Sequence, residues 1–359
     1  MVDDRLVDRE FQDVLRLIAP GTELRTALAR IINSKHGALI VVGDSPDVLA
    51  LVNGGVELNC DFTAPMLFQV AKMDGAVVVS GDLSRIRFAN VHLVPDPNIP
   101  TKEAGTRHRT AERVAKQTGK LVIAVSERME IVTIYKDDWS HVILSVRVLI
   151  SKASQALQTL EKYKIRLDQV SATLTALELE DLVTLHDAIN VLQRAEMMER
   201  ISDEIEVYLA ELGTEGRLIQ LQLEELMSGV KREKRNVIRD YRVEAGGKSV
   251  EAVERSLSRL SDEELLQLTY LAQALGYSGA HDELDRAVSA RGYRILDRIP
   301  RLPASVVEKL VKNFKSFKDI MMASEKVLDE VEGVGPARAR AIKEGLRHIA
   351  ESTAVERYI

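Results

Sequence analysis

The sequence contains a single cysteine, Cys60, in 359 residues. That excludes an internal disulfide and fits a reducing compartment. Cys60 itself reads as a small buried hydrophobe. No group of Cys and His has the spacing of a zinc site. No apolar run approaches the ~18 residues a membrane span needs. Met1-Val2-Asp3-Asp4-Arg5 is acidic and lacks the apolar core of a secretory leader. We therefore expect a cytoplasmic protein that makes no membrane contact. An overall basic balance is missing too. The formal net charge is −6, so any nucleic-acid surface must be a local patch. Familiar nucleotide motifs are also lacking. Gly246-Gly247-Lys248-Ser249 ends like a P-loop, but Arg242 stands where the first glycine belongs and no buried strand precedes it. No G-x-G-x-x-G follows the first apolar runs. An ATPase motor would need a Walker lysine and an arginine-finger context, and neither is found.

What is there starts with length, which allows roughly two to three domains. With 45% hydrophobic and 29% charged residues, the chain can bury sizeable cores. Over residues 1–147, short β-branched runs alternate with amphipathic stretches. Gly37-Ala38-Leu39-Ile40-Val41-Val42, Ala76-Val77-Val78-Val79 and Leu121-Val122-Ile123-Ala124-Val125 are continuous apolar runs of strand length. Such runs suit strands buried on both faces. Residues 86–94 and 131–135 are more mixed, as sheet-edge strands would be. Helices are expected over 9–19, 23–33, 64–73 and 111–117. Pro20-Gly21-Thr22 ends one and caps the next, and Thr63 ahead of Pro65 marks another start. The alternation predicts an α/β domain with a mixed central sheet.

One stretch in this segment carries chemistry. Gly105-Thr106-Arg107-His108-Arg109-Thr110 leads into helix-compatible Ala111-Glu112-Arg113. Hydroxyls, free amides at a helix start and flanking guanidiniums make an anion site. The planar fork of arginine suits phosphate, and two of them can grip a polyphosphate. A stiff loop through Pro95, Pro97 and Pro100 leads into it. Asp74-Gly75 lies where a helix gives way to a strand, a place where open α/β sheets put ligands. As a bare dipeptide it would read as a turn. Gly75 would let backbone approach a ligand closely. Ser126 ends a strand and can either hydrogen-bond a phosphate or cap the strand end. A carboxylate able to hold Mg2+ beside an Arg-His-Arg clamp is the equipment of nucleotidyl transfer.

Asp74-Gly75-Ala76 and Arg107-His108-Arg109, at this separation, resemble the two signature motifs of the diadenylate cyclases. Ala89-Asn90-Val91-His92-Leu93-Val94-Pro95-Asp96-Pro97 and residues 105–118 resemble the DNA-integrity scanning branch of that family, and the likeness extends over the whole chain. The resemblance implies condensation of two ATP into cyclic di-AMP and two pyrophosphates. It implies that Asp74 ligates a metal, Mg2+ with Mn2+ or Co2+ as alternatives, and helps activate the ribose 3′-hydroxyl. Asp74, Arg107, His108 and Arg109 would be catalytic. Gly75, Ala76 and Leu93 would line the nucleotide pocket, and Thr106, Arg107, His108, Arg109 and Thr110 would hold the triphosphate, with Ser126 nearby. The product is two-fold symmetric, so two chains meeting face to face, each with one ATP, satisfy the geometry. A homo-oligomer follows, at least such a dimer and, by resemblance, an octamer associated with the nucleoid.

No proline occurs between Pro100 and Pro300. Apolar positions recur at three and four from Val148 to Leu177, then at Leu182, Leu185, Ile189 and Leu192, at Ile201 to Leu212, and at Leu218, Leu221, Leu223 and Leu226. Residues 148–285 thus read as an all-α helical spacer whose stripes, Met197-Met198 included, are core. Lys231-Arg232-Glu233-Lys234-Arg235 reads as a solvated helix face, and Ser261-Asp262-Glu263-Glu264 as a capping box. The final segment, 286–359, is basic at its start: nine Lys and Arg against Asp297 and Glu308 between Arg286 and Lys318. Gly333-Val334-Gly335 between helical stretches is the helix-hairpin-helix signature, whose free amides hold a DNA phosphate without reading bases. Arg338, Arg340 and Lys343 would add charge, while Ala337 and Ala341 would allow close helix packing. Ile299-Pro300-Arg301-Leu302-Pro303 reads as a degenerate first hairpin. Repeated in an oligomer, such contacts suit branched DNA, for example four-way junctions. The family resemblance adds that branched DNA slows synthesis. The alternative is a non-catalytic, nucleotide-binding DNA repair scaffold.

Overall fold

The computed structural model describes residues 9–243 and 247–356. The acidic residues 1–5 and Gly246 lie outside them. Two compact units are formed, one from residues up to Gln155 with Ile205–Gln220, the other from Ala156–Glu204 with 221 onward.

The first unit runs α1 (Arg9–Leu17), α2 (Glu23–Asn33), β1 (Ala38–Val42), α3 (Pro46–Leu49), β2 (Val52–Asn53), β3 (Val56–Asp61), α4 (Ala64–Val70), β4 (Ala76–Val79), β5 (Arg85–Leu93), α5 (Thr106–Thr118), β6 (Leu121–Ser126), β7 (Ile131–Lys136) and β8 (Trp139–Ile143). The strands make one mixed sheet ordered β2-β5-β4-β1-β6-β7-β8, with β3 also on β5. Among the described residues only β1 and β4 pair in parallel; the other pairings are antiparallel. Alternation along β1 divides two cores. Ala38, Ile40 and Val42 pack with α1, α2 and α4, while Leu39 and Val41 face Ala111, Val114 and Ala115 of α5. Thr22 and Thr63 cap α2 and α4 by accepting from the Arg25 and Met66 amides at 3.1 and 3.3 Å.

Several expectations are corrected here. β5 and β7 are interior strands; the edges are the short β2 and the polar β3, both on β5, and β8 at the other side. Cys60, on β3, is only partly buried against the core. The helix expected at Ala111 begins at Thr106, because its apolar face starts one turn after its backbone does. Its left-handed cap, Gly119 at φ +64°, ends it.

Of the remaining helices, α6 (Val146–Glu180) and α7 (Leu185–Leu212) contribute to both units, and α8 (Arg217–Met227) follows. Then come α9 (Val230–Tyr241), α10 (Val250–Ser258), α11 (Asp262–Leu265), α12 (Leu268–Leu275), α13 (Tyr293–Leu296), α14 (Ala304–Asn313), α15 (Phe317–Met322), α16 (Glu325–Asp329) and α17 (Gly335–Glu356). Ser261 and Glu264 form the expected capping box. Met197 and Met198 are core, whereas Leu182, Leu218 and Leu221 are exposed, contrary to the stripe reading.

The charge run on α9 is a solvated face only in part: Lys231, Arg232 and Arg235 are exposed, but Glu233 and Lys234 turn inward. Lys234 is buried between Glu196 and Glu199, and Glu233 pairs with Arg294 at 2.8 Å. Arg294, 1% exposed, is the hub of this interior. Its guanidinium reaches Glu178 (2.6 Å), Ser171 Oγ (3.0 Å) and Thr175 Oγ1 (2.8 Å) as well. Asp240 accepts from the Gly292, Tyr293 and Arg294 amides at 2.7, 2.8 and 2.9 Å, which holds the start of α13 against α9. Some of the basic residues counted at the start of the tail therefore build an interior rather than a surface.

Candidate active site and nucleic-acid hairpin

The pairing register gathers the predicted site at one sheet edge. Ala38 faces Val125, Leu39 faces Ala76, and Ala76 faces Val91. Gly37 ahead of β1, Asp74 and Gly75 ahead of β4, Leu93 at the end of β5 and Ser126 at the end of β6 therefore emerge on the same side. These are the amino ends of the parallel pair, not the carboxyl ends that open α/β sheets usually employ. The first turn of α5 reaches the same edge, since Arg107 Nη1 donates to Val125 O at 3.4 Å.

Asp74 is exposed in the bend before β4, and its carboxylate has no hydrogen-bond or ion-pair partner among the described residues. Gly75 is required for a reason beyond ligand approach. It sits at φ +90°, and a Cβ there would fall 2.7 Å from Val91 O. The β4–β5 register slips between the Ala76 and Val78 pairings, and Asn90 takes φ +53°, so β5 backbone crowds this glycine. Ala76 (1% exposed) and Leu93 (4%) point into the core beneath α5. Their side chains form the floor of the edge rather than its open face.

Gly105 is the N-cap of α5 and offers no side-chain cap. The first-turn amides are thus free for an anion, and no acid sits in that turn. The preceding loop is fixed to the helix. Thr101 Oγ1 and the Lys102 amide both donate to Glu112, Arg113 Nε donates to Ile99 O at 3.0 Å, and Lys116 Nζ donates to Pro100 O at 2.9 Å. Arg107 lies across Gly37 at the strand ends. Arg109 folds back, donating to Glu103 O and Ala104 O at 3.4 and 3.3 Å. Thr106 is exposed and Thr110 half-buried. Ser126 Oγ accepts from the Met129 amide at 3.4 Å, a strand-end cap.

Residues 103 and 135 escaped the motif reading. His108 Nδ1 lies 2.8 Å from the Tyr135 hydroxyl, which donates to Glu103 Oε1 at 2.9 Å. Burial, then the neighbouring Glu103, raises the Tyr135 phenol well above its ordinary value. Burial lowers the His108 imidazole; Glu103 opposes this and Arg107 adds to it. Tyr135 lies 27 residues beyond His108, and only the packing of α5 against β7 brings it to His108 and Glu103.

No group of three or more His, Cys, Asp or Glu among the described residues could hold a metal alone. A lone unpaired carboxylate beside free amides and arginines fits Mg2+ instead, which binds one or two carboxylates and completes its shell with substrate phosphates and water.

In the second unit, α16 and α17 flank a hairpin. The Val331 amide donates to Leu328 O at 3.2 Å and the Val334 amide to Val331 O at 2.9 Å, with Gly333 at φ +88° and Gly335 at +65°. The turn between α13 and α14 repeats this pattern: Ile299 to Leu296 O at 3.1 Å, Leu302 to Ile299 O at 3.3 Å, and Arg301 at φ +62° where the glycine stands in the other. Val334 is buried at 2% and anchors its hairpin. Arg338 and Arg340 are exposed, and Arg338 Nη1 donates to Gly333 O at 2.6 Å. Lys343 departs from expectation: it is half-buried, and its Nζ donates to Met321 O at 2.7 Å. Ala337 and Ala341 are exposed; Ala339 and Gly345 are the small residues used in packing. A Cβ on Gly345 would lie 2.9 Å from the Ile299 side chain.

Residues 25–139 match the family described as DisA bacterial checkpoint controller nucleotide-binding, residues 143–284 the DisA bacterial checkpoint controller linker region, and residues 293–348 the SAM-like helix-hairpin-helix tandem. The chain is 51% identical to the DNA integrity scanning protein DisA of Parafrankia sp. (strain EAN1pec) over 98% of both chains. It is 52% identical to that of Frankia alni over 98% of both chains. With that of Acidothermus cellulolyticus it shares 50% identity over 99% of this chain and 97% of the relative. No described helix is long and apolar enough to cross a membrane. Matched in its mixed-sheet domain, its helical linker and its hairpin tail, the chain belongs to the DNA integrity scanning protein family of diadenylate cyclases.

Proposed function

We propose that the chain condenses two ATP into cyclic di-AMP across a face-to-face contact between two copies, each contributing the sheet edge that carries Asp74. The observation that supports this best is the convergence of the unpaired Asp74 carboxylate with the uncapped start of α5. The α5 amides, Arg107, His108, Arg109, Thr106 and Thr110 hold the triphosphate. Ser126 stands beside them, and Gly75, Ala76 and Leu93 shape the floor. Each ribose 3′-oxygen attacks the α-phosphorus of the opposed nucleotide, its proton passes to solvent, and pyrophosphate departs in line as the bond to it breaks. Asp74 holds a divalent cation, Mg2+ foremost and Mn2+ or Co2+ as substitutes, and helps lower the cost of deprotonating that hydroxyl. When bound, the ion neutralises charge developing on the phosphate oxygens. Near-attack positioning by the clamp supplies much of the remaining acceleration.

A single copy owns half of the chamber, so homo-oligomerisation is part of the mechanism; an octamer brings such faces together in pairs. The hairpin tail binds DNA through Gly333, Gly335, Arg338 and Arg340, with Val334 buried as the anchor of the turn, favours branched DNA such as four-way junctions through repetition in the oligomer, and slows synthesis when occupied. Nucleoid association follows from that contact. The division of labour is residues 1–147 for synthesis, 148–285 as spacer and 286–359 for DNA.

The test is incubation with ATP and Mg2+ over a dilution series, with detection of the cyclic dinucleotide. Specific activity should fall steeply below the dissociation constant of the assembly, and Asp74→Asn should abolish product while leaving assembly and DNA retention intact. ATP bound without turnover would favour a nucleotide-binding repair scaffold. Equal turnover with and without a junction would remove the regulatory claim.

A further inference from the structure

We infer that Glu103 and Tyr135 are positioning residues for His108, fixing its ring and its tautomer so that Nε2 is presented to the bound triphosphate. This rests on the reading of residues 107–109 as the phosphate clamp. A phenol has one proton to give, and Tyr135 gives it to Glu103 at 2.9 Å. Its oxygen must then accept from His108 Nδ1–H at 2.8 Å. Neutral His108 is thereby held with the proton on Nδ1 and a bare Nε2.

The far edge of the ring faces the anion site. A Cβ built on Gly105, the uncapped start of α5, would lie 3.9 Å from His108 Cδ2, the ring carbon bonded to Nε2. No partner for Nε2 occurs among the described residues. The relay is itself supported. Tyr135 is 1% exposed in the core beneath α5, and the loop bearing Glu103 is tied to α5 through Glu112.

The groups facing His108 are Glu103 from the loop, Arg107 on its own helix and the Tyr135 hydroxyl from β7, with Glu112 acting on Tyr135 behind it. Before nucleotide binds, burial favours the neutral ring. An arriving triphosphate changes the balance. One proton moves from solvent to Nε2, which then donates to a phosphate oxygen, while Nδ1–H keeps its bond to Tyr135. Removing the phenolic oxygen takes away the acceptor that supports the imidazolium. The charged ring is then lost at lower pH.

The experiment uses the full chain as wild type, Tyr135→Phe, Glu103→Gln, His108→Asn and the His108→Asn/Tyr135→Phe pair. Binding of 3′-deoxy-ATP, which cannot cyclise, is measured by calorimetry in buffers of different ionisation enthalpy. Turnover of ATP is followed across the neutral pH range. Tyr135→Phe should weaken binding by about 10-fold, the lower end of what residues orienting a functional histidine contribute. It should reduce proton uptake and move the alkaline limb of kcat/KM to lower pH. Glu103→Gln should move the limb the same way with a smaller loss, since its amide oxygen still accepts from the phenol. In the His108→Asn background Tyr135→Phe should add nothing. An equal loss there, or an unmoved limb with unchanged affinity, overturns the inference. If His108→Asn weakens binding and Tyr135→Phe does not, the relay alone fails. If His108→Asn leaves binding intact, the clamp reading fails with it.

Discussion

The guanidinium of Arg107 occupies the space that a side chain at position 37 would fill: a Cβ built on Gly37 falls 2.0 Å from Arg107 Nη1. Gly37 is not among the positive-φ residues, so alanine fits its backbone. What must move is the far end of a flexible arginine. Gly37→Ala should therefore leave thermal unfolding unchanged and push Arg107 off the strand ends. A misplacement of this size costs about 100-fold in kcat/KM. Cyclic di-AMP production beside a melting curve checks it; full activity in a folded variant would remove Arg107 from the clamp.

That pair also shows where sequence reading succeeds and where it stops. Arg107 was legible because guanidiniums at a helix start have few other uses, and β1, β4 and β6 because continuous apolar runs demand burial on both faces. Gly37 carried no signal, since its partner lies 70 positions away and the conflict is purely spatial. The interior placement of β5 was hidden by alternation around a bulge, and the true edge strand β3 by Glu57, Asn59 and Asp61. Arg294 reads as one more member of a basic run because a sequence does not distinguish a solvated guanidinium from one whose partner, Glu178, is 116 residues distant.

Arg294 should dominate the stability of its unit. Its side chain and that of Glu178 are both 0% exposed. Truncating one member of a buried pair leaves the other charge uncompensated, at a cost of about 3–5 kcal/mol. Arg294→Gln is expected to lower the free energy of urea unfolding by that order. Arg294→Lys should rescue little, because an ammonium cannot reach Glu178, Glu233, Ser171 and Thr175 together. A loss within error for Arg294→Gln would mean the network is incidental.

Asp240 sets a pH dependence of unusual sign. Burial first, then the charge of Glu178, pushes its carboxyl from 3.8 up to about 7, against the pull of three backbone N–H donors. The native state therefore binds this proton more tightly than the unfolded chain does. Its contribution to stability declines as pH rises from 3.8 to about 7 and is constant above, opposite to an ion-paired acid. The slope can reach about 1.4 kcal/mol per pH unit. Urea midpoints for wild type and Asp240→Asn across that window isolate the effect, since other acids cancel in the difference. A difference independent of pH would show that Asp240 titrates like an ordinary carboxyl.

The hairpin tail should separate electrostatic from structural lysines and arginines. Arg338 and Arg340 are exposed, Arg338 donating to Gly333 O at the turn, whereas Lys343 is half-buried and donates to Met321 O. If the hairpin grips phosphates, Arg338→Gln and Arg340→Gln each weaken four-way junction binding and reduce the salt dependence by about one counterion. Lys343→Gln should instead lower thermal stability and leave the salt slope unchanged, since its charge reaches no phosphate. Gly333 and Gly335 act through backbone, at φ +88° and +65°. Replacing both with leucine should strain the turn, abolish junction retention and leave cyclic di-AMP synthesis without DNA at its wild-type rate. Gel retention at several salt concentrations, run beside the cyclase assay, reads all of these. Retention by the double-leucine variant equal to wild type would place the DNA contact elsewhere on the tail.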